Sequence, residues 1–180
     1  MLLQQIIQNS KKIFKLDSEV LSKITSDTNE TANALIVVSL WSTSVLYFSF
    51  NLRSSALLYP AFDHIFGWII ATFATWYFLS KVYNETLQMQ NLLALTGYAQ
   101  VVFLLIILLG RINFCFFPLV YCSGNSRFSL WMLGVIYWVY AIIYKGMKVG
   151  FYIEKKPASS STVLFLVVIF LVSDILKSLL

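Results

Sequence analysis

The residues that could do chemistry are few, and most sit inside apolar runs. Thr96 and Gln100 lie four apart, on one face of any helix that holds them. Both fall in Leu92–Gly110, a nineteen-residue stretch without a charge. Ser42 and Thr43 lie in another uncharged run, about 32–50. Hydroxyls and amides in such runs either bond one helix to another or line a path for a solute. They are not a catalytic apparatus. The sequence has no glycine-rich phosphate loop, no Cys/His metal spacing and no H-E-x-x-H pattern. His64 is the only histidine, and with Asp63 it falls at the outer edge of an apolar run, so a Ser/His/Asp set has no base. No pair of carboxylates lies within an apolar run, and no span carries the interior charge that a coupled ion transporter needs. An enzyme is therefore not expected, and no metal or cofactor is implied.

The elements that must position these groups follow from composition. Apolar residues make up 59% of the 180 and charged residues 12%, with a mean hydropathy of +0.77. Soluble domains carry about 25% charged residues, so this core must face lipid. At about 1.5 Å per residue, a span of some 20 residues crosses a hydrocarbon layer of roughly 30 Å. Five stretches qualify: about 32–50, 61–80, 92–110, 128–144 and 163–180. The expected fold is thus all-α, a polytopic membrane protein of five transmembrane helices preceded by an amphipathic N-terminal helix.

Residues 1–31 form that leading segment. Leu3, Ile6, Ile13, Val20 and Ile24 recur at helical spacing, with an interruption at Leu16-Asp17-Ser18. Its lysines suit an anionic membrane surface; the alternative is a helix packed on the rest of the chain. Asp27 and Glu30 have capping-box spacing before the first span. In the second span Gly67, Ala71 and Thr75 fall four apart, a small-residue face that admits another helix, and Trp68 and Trp76 read as interfacial residues. Residues 81–91 form a polar link, with Val82, Met89 and Leu93 on one side of a short interfacial helix. Gly146 and Gly150 are four apart at the end of the fourth span. Pro157 and the serines after it stop one helix and cap the next. Cys115 and Cys122 fall in the long link between the third and fourth spans; free thiols are expected, the alternative being a disulfide that closes a small loop around Pro118 on the outer side. Gln100, near mid-span, is expected to face the bundle and bond to Ser42, Thr43, Thr72 or Thr75.

Charge gives the topology. With the N-terminus inside, the inner segments hold nine basic residues (Lys11, Lys12, Lys15, Lys23, Lys81, Lys145, Lys148, Lys155 and Lys156) and the outer ones four (Arg53, Arg111, Arg127 and Lys177). The positive-inside rule then puts the C-terminus outside. These charges lie between apolar runs and form no continuous basic patch, which argues against nucleic acid as a partner.

Several segments resemble the Ypt-interacting protein (Yip) family of five-span membrane proteins, in its short prokaryotic- and plastid-type form. Leu16-Asp17-Ser18, Ile24 to Asp27 and Ala34-Leu35-Ile36-Val37-Val38 are similar to the lead-in and first span. Phe66-Gly67-Trp68 resembles the start of the second span, Leu95-Thr96-Gly97-Tyr98-Ala99 the family's best-known local pattern, and Trp138 to Lys148 the inner end of the fourth span. The resemblance implies a bacterial inner membrane or plastid membrane, with ER or Golgi as the alternative. It also implies a membrane-protein partner, and a Rab-type GTPase by resemblance alone. The expected function is a non-enzymatic integral membrane protein that binds or organises other membrane components. The alternatives are a facilitated conduit for a small solute and an assembly factor for a membrane complex. The candidate packing or functional polar cluster is Thr96, Gly97, Tyr98, Gln100, Ser42, Thr43, Gly67, Ala71 and Thr75.

Overall fold

The computed structural model describes residues 2–49, 59–103 and 130–179. Every element among them is an α-helix: α1 (Leu2–Phe14), α2 (Ser18–Ser26), α3 (Glu30–Ser49), α4 (Tyr59–Val82), α5 (Met89–Ala99), α6 (Leu130–Gly150) and α7 (Lys155–Leu179). The link holding Cys115 and Cys122 lies outside the described residues.

The break at Leu16-Asp17-Ser18 is made by two caps back to back. The Leu16 N–H bonds to Ile13 O at 2.8 Å and the Asp17 N–H to Lys12 O at 3.0 Å. Leu16 itself turns left-handed, with φ 57°. This is a Schellman ending for α1. The Asp17 side chain then accepts the Glu19 and Val20 N–H groups and starts α2. Carbonyls left over at the end of α1 are taken by α6: Trp138 Nε1 donates to Phe14 O at 3.1 Å and Lys145 Nζ to Leu16 O. Ile6, Ile13, Val20, Leu21 and Ile24 are buried, so the apolar stripe of the leading segment packs on its own protein.

At the centre lies α5, packed against α1, α2, α3, α4 and α6. Leu92 and every residue from Ala94 to Ala99 are buried. The third expected span is not one continuous helix. After Ala99 the Gln100 N–H bonds back to Gly97 O at 3.1 Å, tightening the turn, and a new helical turn begins at Val101 with the Phe103 N–H on Gln100 O at 2.9 Å. Residues 104–110 lie outside the described ones.

Three other boundaries differ from the sequence reading. The link between α4 and α5 is extended, not an interfacial helix: Tyr83 and Glu85 both donate to Leu79 O, with Asn84 left-handed between them at φ 56°. Asparagine tolerates that conformation better than most residues. The fourth helix continues past Tyr144 to Gly150, because its last two turns are packing surface. A Cβ at Gly146 would collide with Leu95, and one at Gly150 with Thr25. The last helix begins at Lys155 rather than 163. Pro157 falls in its first turn, where no backbone N–H is needed. Ser160 and Thr162 bond back to carbonyls of that turn, so the serine run lies inside the helix rather than capping it.

The helices are polarised inside out. On α4 the outward residues are Phe66, Ile69, Ile70, Phe73 and Tyr77, while Gly67, Trp68, Ala71, Thr72 and Thr75 face inward. On α7 Val163, Val167, Phe170 and Leu171 face outward and Ser161, Thr162 and Phe165 inward. In water bulky apolar residues are usually the buried ones; on these two helices they are exposed. His64–Val82 and Lys155–Val172 are long and apolar enough to cross a membrane, and only 33% of each is buried in the protein. Glu30–Leu40 is apolar but shorter. These surfaces point to membrane association.

Close approach at Gly97 holds α5 against α3 and α4. A Cβ there would sit 2.8 Å from the Ala34 Cβ and 3.0 Å from the Trp68 ring, whereas Gly134 has nothing within 4 Å. Gly97→Ala is expected to lower stability in detergent by roughly 1–3 kcal/mol, through forced separation of packed helices. Gly134→Ala should leave it unchanged or raise it by up to about 1 kcal/mol, since alanine favours the helix. Denaturation curves for the two variants would measure the difference.

Candidate functional site

Glu30 is the most informative polar residue in the chain. It opens α3, and its side chain is 0% exposed. The capping-box spacing predicts that it bends back to the helix end. Instead it reaches inward between three helices. Oε1 accepts from Gln5 Nε2 at 3.2 Å and Asn9 Nδ2 at 3.3 Å, and Oε2 accepts from Asn33 Nδ2 at 2.9 Å and the Tyr98 hydroxyl at 2.6 Å. An ionised carboxylate is acceptor-only, with about four lone-pair positions, and here four donors meet it. The positive end of the α3 dipole adds to its stabilisation. Among the described residues no lysine or arginine pairs with it. Asp27, the C-cap of α2, accepts the Asn29 N–H on its Oδ1 at 3.0 Å, in the turn just before α3.

The sequence-derived cluster divides around this centre. Tyr98 joins Glu30. Thr96 locks α5 to α4: its Oγ1 accepts from Trp68 Nε1 at 3.0 Å and lies 2.9 Å from Thr72 Oγ1. Trp68 is therefore an interior residue and not an interfacial anchor; its N–H has found a protein acceptor. Gly97 is the close-approach point just described. Gly67, Ala71 and Thr75 are buried on α4, whose most extensive packing is with α7. Gly67 is not a tight crossing, since a methyl there would meet Val172 at an ordinary 3.9 Å.

Gln100 is buried to 1% exposure, and its Nε2 has no hydrogen-bond partner among the described residues. The bonds expected from Ser42, Thr72 or Thr75 do not form: each hydroxyl donates along its own helix, and none accepts from Gln100 Nε2. Ser42 donates to Val38 O and Thr75 to Ala71 O. Thr72 bonds to Trp68 O and Thr96. The side chain of Thr43 lies outside the described ones.

A cleft of about 900 Å³ opens beside Glu30, between the first turns of α3 and the flanks of α4 and α5. Gln5, Asp27, Asn29 and Asn33 line its polar side, and Leu35, Trp68, Ile69 and Leu93 its apolar side. Thr31 Oγ1 donates to Gln90 O at 2.8 Å and ties α3 to the start of α5 at the cleft. Sequence reading placed Gln5 on the polar face of α1 and Glu30 in a cap, and gave Asn9 and Asn33 no role. One signal was present: Asn9 falls in register with Ile6 and Ile13 on the apolar stripe.

Tyr98→Phe is expected to cost roughly 1.5–3 kcal/mol, the range for a hydrogen bond to a charged group. Glu30→Gln should cost more, because a carboxamide places an NH2 among four donors. A double-mutant cycle of the two substitutions should show strong coupling, whereas additive losses would mean that the Tyr98–Glu30 bond contributes nothing. No protein-family model matches the chain, and neither a curated protein nor a solved structure does.

Proposed function

We propose that this chain is a non-enzymatic integral membrane protein of the Yip type. On this reading it crosses the bilayer five times, with its N-terminus inside, and binds or organises other membrane components. The carrying observation is the cleft at Glu30. It opens where α1, α3, α4 and α5 meet, and it offers a partner both polar and apolar surface. The hydroxyls deeper in the bundle are instead committed to their own helices. The inside-out polarity of α4 and α7 supports embedding in lipid, and the nine-to-four distribution of basic residues supports the orientation. An assembly factor for a membrane complex would use the same cleft and differ only in its partner.

One observation favours the conduit alternative. Discontinuous helices with unsatisfied polar groups near mid-membrane mark solute sites in transporters, and α5 breaks at Gln100 with its amide nitrogen unpaired. Purification in mild detergent followed by vesicle reconstitution separates the readings. A binder retains a defined membrane partner and gives no uptake above empty vesicles. A conduit gives uptake that Gln100→Leu abolishes. Topology has its own measurement: a reporter active only in the cytosol or stroma should work when fused after Lys156 and fail after Leu180. Equal activity at both positions would require an even number of crossings.

A further inference from the structure

The cleft has a chemistry that the bonds of Glu30 do not use. Two carboxylates, Asp27 and Glu30, line it together with the carboxamides of Gln5, Asn29, Asn33 and Gln90. No lysine or arginine does, although the chain carries a net charge of +5. Lys23, one turn before Asp27, is exposed and is not part of the lining. Glu30's four donors are neutral, so they satisfy its lone pairs without cancelling its charge. Asp27 ends α2, at the negative end of that helix dipole. Glu30 opens α3, at the positive end of that dipole, but two full negative charges outweigh a partial positive one, so the polar side of the cleft is electronegative on a chain of net charge +5.

The opposite side is apolar and continues into the outer surface of the bundle. Leu35 and Ile69 are 44% and 37% exposed. Ile69 shares its outward face with Phe73, one turn further along α4. The complement of such a surface is an amphiphile with a cationic head and a hydrocarbon tail. A volume near 900 Å³ lies in the range of small-molecule sites. Resting on the membrane-embedded binding role proposed above, we propose that the cleft binds one phospholipid with an ammonium headgroup. The ammonium lies beside half-buried Asp27, with the enclosed charge of Glu30 behind it, and an acyl chain runs along Leu35 and Ile69. The charge of the lining excludes anionic headgroups.

The test uses the full chain in nanodiscs of phosphatidylglycerol doped with phosphatidylethanolamine, with the lipid kept through purification measured by native mass spectrometry. The expected result is one phosphatidylethanolamine per chain, enriched over its share of the bilayer. Asn29→Lys and Asp27→Asn change exposed or half-buried rim positions and avoid the risk that a Glu30 variant fails to fold. Each should lower that enrichment by about fivefold or more, with an unchanged melting curve in detergent. Soluble phosphoethanolamine, which has the head but no tail, should not displace the lipid. Equal retention of phosphatidylglycerol, displacement by the free headgroup, or rim variants that retain the lipid normally would each overturn the proposal. Failure here would be distinct from failure of the binding role, because a chain without lipid preference could still retain its membrane-protein partner.

Discussion

A carboxylate taken out of water must be met by donors on every side, and Glu30 imposes that demand on its surroundings. Its four bonds come from α1, α3 and α5. The demand fixes where the leading helix lies, because Gln5 and Asn9 can reach Glu30 only if α1 crosses the start of α3. It also fixes the rotation of α5, since the Tyr98 hydroxyl must point to the same spot. Breaking one contact leaves a buried charge short of a donor, which costs more than the bond itself is worth. The arrangement thus favours one geometry strongly over its neighbours.

Around this centre, small residues on the helix faces set how closely the bundle packs. Gly97, Gly146 and Gly150 each occupy a crossing where no side chain fits, and together they draw α5 and α6 against α2, α3 and α4. The large residues face the other way. Lipid competes poorly for van der Waals contact with a close-fitting helix, so the tightest packing goes inside and the bulky apolar surface outside. Trp68 spans both demands: its ring packs at Gly97 while its N–H is taken by Thr96. In this way α5 becomes a helix enclosed by protein, although its composition reads as that of a lipid-facing span.

The cleft is a consequence of the same geometry. Drawing Glu30 inward leaves Asp27 to bond within the turn before α3 and opens the space between the α2–α3 turn and the flank of α4. The residues that secure the fold and those that line the cleft are therefore adjacent, with Glu30 belonging to both.

Much of this architecture was legible in the residues themselves. Helical periodicity, uncharged runs and the Leu16-Asp17-Ser18 break are local properties, and local physics decides them. The close-packing faces could be read too, since Gly146 and Gly150 share one stripe. What only the tertiary structure decided is which polar groups meet. Gln5, Asn9 and Tyr98 lie 25, 21 and 68 residues from Glu30, and no pattern along one helix reports a partner on another. For Glu30 the local signal pointed elsewhere, because its spacing from Asp27 suits a cap in isolation. Gln100 was placed inside by the same reasoning that gave it hydroxyl partners. Ser42, Thr72 and Thr75 instead donate to carbonyls one turn away on their own helices. Sequence determines what each helix can bury; the packing of helices determines what each buried group touches.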